Sequence, residues 1–212
     1  MMFVHTLFWR CGAAAALLVL GACSALSPSV TAPPSFYVLE SPASVAPASM
    51  PAVAPTLIIN PTHAAAGFGS ARIIYVREAH RLDYFAHSEW VDPPARMLTP
   101  LLVSAIEGAG AFRAVVATPS AAAADLRLDT EIVRLQHEFQ SRPSRVRFTL
   151  RVDLVDDKTR RVVARREFDA SVAAASDDAY GGVVAANRAV QTTLKELAAF
   201  VAATVRGGSE SK

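Results

Sequence analysis

The chain has 212 residues, room for one ordinary domain plus tails. Apolar residues make up 52%, enough for a sizeable core, and a formal net charge of +2 leaves no strong field to select nucleic acid or an acidic partner. Alanine inflates the apolar share, so part of it belongs to low-complexity tails rather than to a core. At the N-terminus Arg10 supplies a positive charge ahead of an uncharged run, Gly12 to Leu20 (GAAAALLVL). Those nine residues rise only ~14 Å as a helix, against a hydrocarbon core of ~30 Å. The run therefore has the dimensions and flanks of a signal-peptide hydrophobic region, not of a membrane span.

Leu20, Gly21, Ala22 and Cys23 follow directly. This order resembles the lipobox of bacterial lipoproteins: an apolar residue, two small ones, then a cysteine that is diacylated, exposed by cleavage and acylated again. Leu20, Gly21 and Ala22 are then the signal-peptidase recognition residues, and Cys23 is the lipidation site. An ordinary cleaved signal with an unrelated cysteine is the alternative. The other cysteine, Cys11, lies in the segment removed, so the mature chain has no disulfide framework and relies on packing alone. Loss of Arg10 takes the 21 basic side chains to 20, against 19 acidic ones. Several acyl chains, at ~0.8 kcal/mol per buried CH₂, make such an anchor effectively permanent. Ser24 after the lipid cysteine, in place of a retaining Asp, points to the outer membrane.

Ser24 to Ser35 (SALSPSVTAPPS) is uncharged and proline-rich, a flexible tether reaching at most ~40 Å. Phe36 to Leu39 is a short strand, and Ser41 to Pro55 is a second Pro/Ala/Ser-rich connection. Thr56 to Asn60 and Ile73 to Val76 are strands, and Arg81 to Phe85 pairs with the latter as a hairpin. Asp92 before Pro93-Pro94 reads as a helix N-cap, and Met97, Leu98, Leu101, Leu102, Ala105 and Ile106 form an apolar stripe stopped by Gly108. Pro100 conflicts with that helix: either it kinks the helix or the regular part starts near Thr99. Phe112 to Ala117 is a further strand.

In the second half Leu126, Leu128, Thr130 and Ile132 share one face, and the pattern then shifts to Val133, Leu135 and Phe139, which implies a β-bulge near Ile132. Val146, Phe148, Leu150, Val152 and Leu154 alternate strictly with charged or polar residues. After a turn at Asp156–Arg160, Val162, Ala164, Phe168, Ala170 and Val172 continue one face, interrupted by Arg166. Asp177 or Asp178 caps a last helix that buries Val183, Ala186, Val190, Leu194, Leu197 and Val201, reaches Val205 and ends at Gly207-Gly208. The expected fold class is α+β, a mainly antiparallel sheet with two helices packed on one face. The expected organisation is signal peptide 1–22, lipidated cysteine and tether 23–35, folded domain 36–205 and a disordered tail 206–212.

Chemistry is thinly signalled. There is no GxSxG, P-loop, dinucleotide fingerprint, HExxH or CxxC, so no catalytic, cofactor-binding or metal residue is assigned. His63, His80, His87 and His137 lack metal-ligand spacing and read as surface or structural histidines, and Glu138 beside His137 reads as a solvated strand end. Gly67-Phe68-Gly69 is a turn. Arg145, Arg147, Arg151 and Arg165 could meet anionic lipid head groups or an acidic partner, but the interleaved Asp153, Glu167 and Asp169 favour cross-strand ion pairs on a solvated face. Arg147 and Arg151 are candidate partner contacts. Trp90 is a packing residue, and a binding anchor only if exposed.

Ala71 to Arg77 (ARIIYVR), Leu82 to Phe85 (LDYF), Glu89 to Pro94 (EWVDPP), Phe36 to Leu39, Ala124 to Leu128 and Ala185 to Ala189 occur in an order that resembles the ABC-type transport auxiliary lipoprotein family. That family includes the outer-membrane lipoprotein of the paraquat-inducible (Pqi) lipid-transport system. The resemblance covers residues 36–203 and departs from the family pattern at Val91, where alanine is usual, and at Pro100. It implies a non-enzymatic accessory lipoprotein on the periplasmic face of the outer membrane. Its implied partners are an MCE-domain protein and that protein's ABC permease and ATPase, with a homo-oligomeric ring as a further expectation and no cofactor. A periplasmic hydrolase and a regulator of cell-wall synthesis are the competing classes.

Overall fold

Strict alternation of apolar and charged residues over 145–154 builds the centre of the sheet in the computed structural model, which describes residues 33–40 and 54–209. The signal segment, the lipobox with Cys23, the tether to residue 32, the 41–53 connection and residues 210–212 lie outside the described residues. Strand β7 (Leu126–Glu138) pairs antiparallel along its length with β8 (Arg145–Asp156), and β8 with β9 (Val162–Ala173). The register shifts between Ile132 and Arg134, so the expected bulge is present and resets the pleat to bury Leu135 after Ile132. At the β8–β9 corner Asp156 accepts from the backbone N–H of Lys158 and Thr159 at 3.1 and 2.7 Å.

The other long edge of β7 is shared in sequence by three shorter strands, all parallel to it. These are β2 (Thr56–Ile59) at its start, β3 (His63–Ala64) in the middle and β4 (Arg72–Val76) at its end. From β4 the sheet continues through β5 (Asp83–Trp90), antiparallel, to β1 (Ser35–Tyr37), parallel, and from β2 to β6 (Ala114–Ala117), parallel. The sheet is thus mixed, with its long pairings antiparallel. Strand β5 runs five residues past the expected Phe85, and Phe112 and Arg113 precede β6 instead of opening it, although Phe112 is buried.

Helices α1 (Pro94–Gly108) and α2 (Ala179–Ser209) pack on the face that presents Leu57, Ile59, Leu128, Ile132, Phe148, Leu150 and Leu154, all fully buried. The α+β reading therefore holds. Two details differ from expectation, the α1 N-cap and the end of α2, and the alternative that starts the regular helix near Thr99 is excluded. Pro93, not Asp92, occupies the α1 N-cap, its carbonyl accepting from Arg96 and Met97 N–H at 2.9 and 3.3 Å, while Asp92 pairs with the Arg96 side chain at 3.3 Å. Helix α1 runs from Pro94 through Pro100, because Pro100 and Arg96, whose carbonyl loses its i+4 donor, both lie on the exposed side where water serves it. Helix α2 continues past Gly207 to Ser209, since Gly207 does not adopt the positive φ of a helix-ending glycine, and Arg206 suits the negative end of the helix dipole.

Candidate functional site

Arg151 sits in one cross-strand row with Glu131 on β7 and Glu167 on β9, and bonds both carboxylates at 2.7 and 3.1 Å. Arg147 forks onto Asp169 at 3.0 and 2.6 Å, and Thr149 donates to the same carboxylate at 2.6 Å. The Arg147 guanidinium holds the Asp169 carboxyl at about 2, below the usual carboxylate range, against a partial desolvation that raises it. Arg165 forks onto Asp153, and Arg145 bonds the Ser171 hydroxyl and carbonyl, both at 2.9 Å. The outer sheet face is therefore an alternating lattice in which Arg147 and Arg151 are half-exposed but already neutralised. Trp90 is 3% exposed, wedged in the core, so it packs and does not present an anchor.

The structure also assembles a buried polar chain whose members are far apart in sequence. His137, on the core-facing side of β7, is 2% exposed, and its Nε2 lies 2.8 Å from Ser144 Oγ, which is 2.5 Å from Asp177 Oδ1. A carboxylate only accepts, so the Ser144 proton points to Asp177 and His137 Nε2 must be the donor to the hydroxyl lone pair. Nδ1 is then an unprotonated acceptor, buried without a protein partner and pressed against Gly182. Burial pushes the His137 pKa down, against the opposing charges of Asp177 and Asp178. Asp178 caps α2 by accepting from Gly181 N–H at 2.7 Å.

This chain contains a serine, a histidine and an aspartate, but in an order opposite to nucleophile activation. There the base takes the serine proton; here serine gives its proton to the carboxylate and accepts one from histidine. Ser144 is 1% exposed, and the cavity beside His137, lined by Trp90, Val146, Gly182 and Ala186 among others, holds ≈10 Å³. That is the room of one water, far from the ~300 Å³ of a small-molecule site. The chain is a strut tying β7, the β7–β8 connection and the start of α2. Its signal in the sequence is modest: His137 follows Leu135 at the core-facing spacing, and Gly181-Gly182 is an unfavourable pair for a helix start. Both glycines are explained by crowding, because a Cβ on Gly181 would strike the Ser176 carbonyl and one on Gly182 would lie 2.6 Å from His137 Nδ1.

Of the remaining histidines, His63, His80 and His87 are exposed, and no His/Cys/Asp/Glu group among the described residues is arranged to hold a metal. No described helix is long and apolar enough to cross a membrane. At the β1 edge the chain exposes apolar side chains: Phe36 at 59%, Val91 at 57% and Tyr180 at 63%. The edge is held firmly, with Val91 N–H donating to the Tyr37 carbonyl at 2.8 Å, the Tyr37 and Tyr180 rings 6.4 Å apart, and Asn187 bonding Val38 O and Glu40 N.

Against known proteins, the model of the family described as ABC-type transport auxiliary lipoprotein component matches residues 37–201. No curated protein matches. Among solved structures, protein XCC0632 from Xanthomonas campestris, of the DUF330 family, is 23% identical with a TM-score of 0.73, covering 83% of this chain and 99% of that one. An uncharacterised protein is 12% identical, TM-score 0.63, covering 80% and 99%. The hypothetical protein CT253 from Chlamydia trachomatis is 12% identical, TM-score 0.51, covering 72% and 98%. At these identities the structural likeness establishes the fold.

Proposed function

Since this chain belongs to the ABC-type transport auxiliary lipoprotein component family, we propose that it is the lipid-anchored, periplasmic accessory subunit of an ABC/MCE-type system moving lipid between the inner and outer membranes. The observation that carries the reading is the family match across residues 37–201 of a chain whose Leu20-Gly21-Ala22-Cys23 lies just upstream. Acylated Cys23 fixes the domain to the outer membrane, and an MCE-domain protein arriving from the inner membrane is its partner. Tethering raises the local concentration of one for the other, so a modest interface suffices. The ATPase and permease supply the energy, and this chain contributes position. The internal arrangement of Ser144, His137 and Asp177 supports a scaffold over a hydrolase, because Ser144, which is hydrogen-bonded to His137, is buried and bonded in the non-activating order.

The test is affinity purification of the tagged full-length protein from detergent-solubilised membranes of its own host, with partners identified by mass spectrometry. An MCE-domain protein with its permease and ATPase is the expected set. Recovery of the protein without them, together with ester or amide hydrolysis by the purified chain, overturns the reading.

A further inference from the structure

We propose that the β1 edge, with Val91 and the first turn of α2 beside it, is a contact surface for the headgroup region of the bilayer that holds the anchor. This rests on the reading of Cys23 as acylated. The apolar and aromatic side chains Phe36, Val38, Val91 and Tyr180 are between 41% and 63% exposed there, on backbone pinned by the Val91–Tyr37 and Asn187–Val38 hydrogen bonds. Fixed, exposed aromatics are unfavourable in water and belong, with the tyrosine hydroxyl at the wet end, to a membrane–water boundary. Phe36 follows Cys23 by only 13 residues. Thirteen residues of any conformation span at most ~45 Å. This edge is therefore the part of the domain that the chain itself ties nearest to the lipid. The opposite edge, β9, exposes Val162 and Val163 between Arg161, Arg165 and Arg166, is separated from β1 by the four strands β5, β4, β7 and β8, and lacks exposed aromatics.

The experiment reconstitutes the full-length protein, purified from membranes, into phosphatidylethanolamine vesicles carrying phosphatidylcholine brominated on its acyl chains. Phe36→Trp, Tyr180→Trp and, at the far edge, Val163→Trp act as reporters, and the emission of the parent protein, whose tryptophans are Trp90 and, before cleavage, Trp9, is subtracted from each. A contact that sinks the edge ~5–10 Å into the headgroup boundary quenches the Phe36→Trp and Tyr180→Trp emission about twofold and leaves Val163→Trp unchanged. Equal quenching at the three positions, or none at any, overturns the proposal. So does a blue shift of the two edge reporters that follows protein concentration in vesicle-free detergent, which assigns the edge to a second copy of this chain. The acyl mass on Cys23 is read separately by mass spectrometry of the same sample. Its absence removes the anchor on which the contact rests and overturns both readings, whereas loss of edge-selective quenching with the mass present refutes the contact alone.

Discussion

Gly182→Ala should destabilise the domain, although alanine is the better helix former. In an open helical site the substitution gains up to about 1 kcal/mol from propensity, and less in a first turn. Here the added Cβ lies 2.6 Å from His137 Nδ1, 3.2 Å from Cε1 and 3.3 Å from Cγ. The imidazole cannot swing away: its Nε2 is bonded to Ser144 and its ring lies 4.2 Å from that of Phe139. Forcing a methyl into such packing costs ~1–3 kcal/mol, so the net loss is ~1–2 kcal/mol, or about 2–8 °C in Tm for a domain of this size. Urea denaturation of the full-length protein reads the loss. Gly207→Ala is the control, because nothing lies within 4 Å of its Cβ position in the same helix, and it should be neutral or stabilising by ~0.5–1 kcal/mol. In a double-mutant cycle His137→Ala should reduce the cost of Gly182→Ala. If Gly182→Ala matched Gly207→Ala in sign, the packing argument for this glycine would be wrong.

Stability should fall on mild acidification. Burial lowers the His137 pKa below its ordinary 6.5, so the folded state binds fewer protons than the unfolded one; stability is full above pH 6.5 and is lost as pH drops from there toward the folded value. A second loss follows below pH 3.8, as Asp177 and Asp178, both held low by hydrogen bonds, and Asp169, at about 2, are protonated. Denaturation midpoints across pH should show both steps, and His137→Ala should remove the first alone. Pro100→Ala should raise stability by ~1–3 kcal/mol by restoring the bond to the Arg96 carbonyl, and an unchanged urea midpoint would mean that the lost bond costs the helix nothing. Arg147→Ala and Arg151→Ala should each cost no more than ~1 kcal/mol, because their pairs are about 40% exposed, and thermal melts in low and high salt would check this.

The strands that pair with their sequence neighbours were legible. Alternation in β8 and β9 and the shifted pattern at Ile132 in β7 identify an antiparallel meander, its wet face and its bulge. The parallel joins of β2, β3 and β4 along the other edge of β7 were not, since they link residues some 70 positions apart in Leu57↔Leu126 and leave no local period. The two-residue β3 is too short to show any pattern. Pro100 left two readings open because its effect depends on which side of α1 faces water, a property of the packed domain. Likewise the interleaved acidic residues favour ion pairs for Arg147 and Arg151 over a contact, and only the register with Asp169, Glu131 and Glu167 fixes which carboxylates they meet. Ser144 carries no signal of its own; it matters because the β7–β8 turn brings it between His137 and the start of α2.

If the domain works from a lipid anchor, the intact mass of the mature protein extracted from membranes must show it. The expected mass is that of a chain that begins at Cys23 and carries acyl chains there, with Cys23→Ser remaining unprocessed and unacylated. A mature chain that begins elsewhere, or one that begins at Cys23 without added acyl mass, would contradict it.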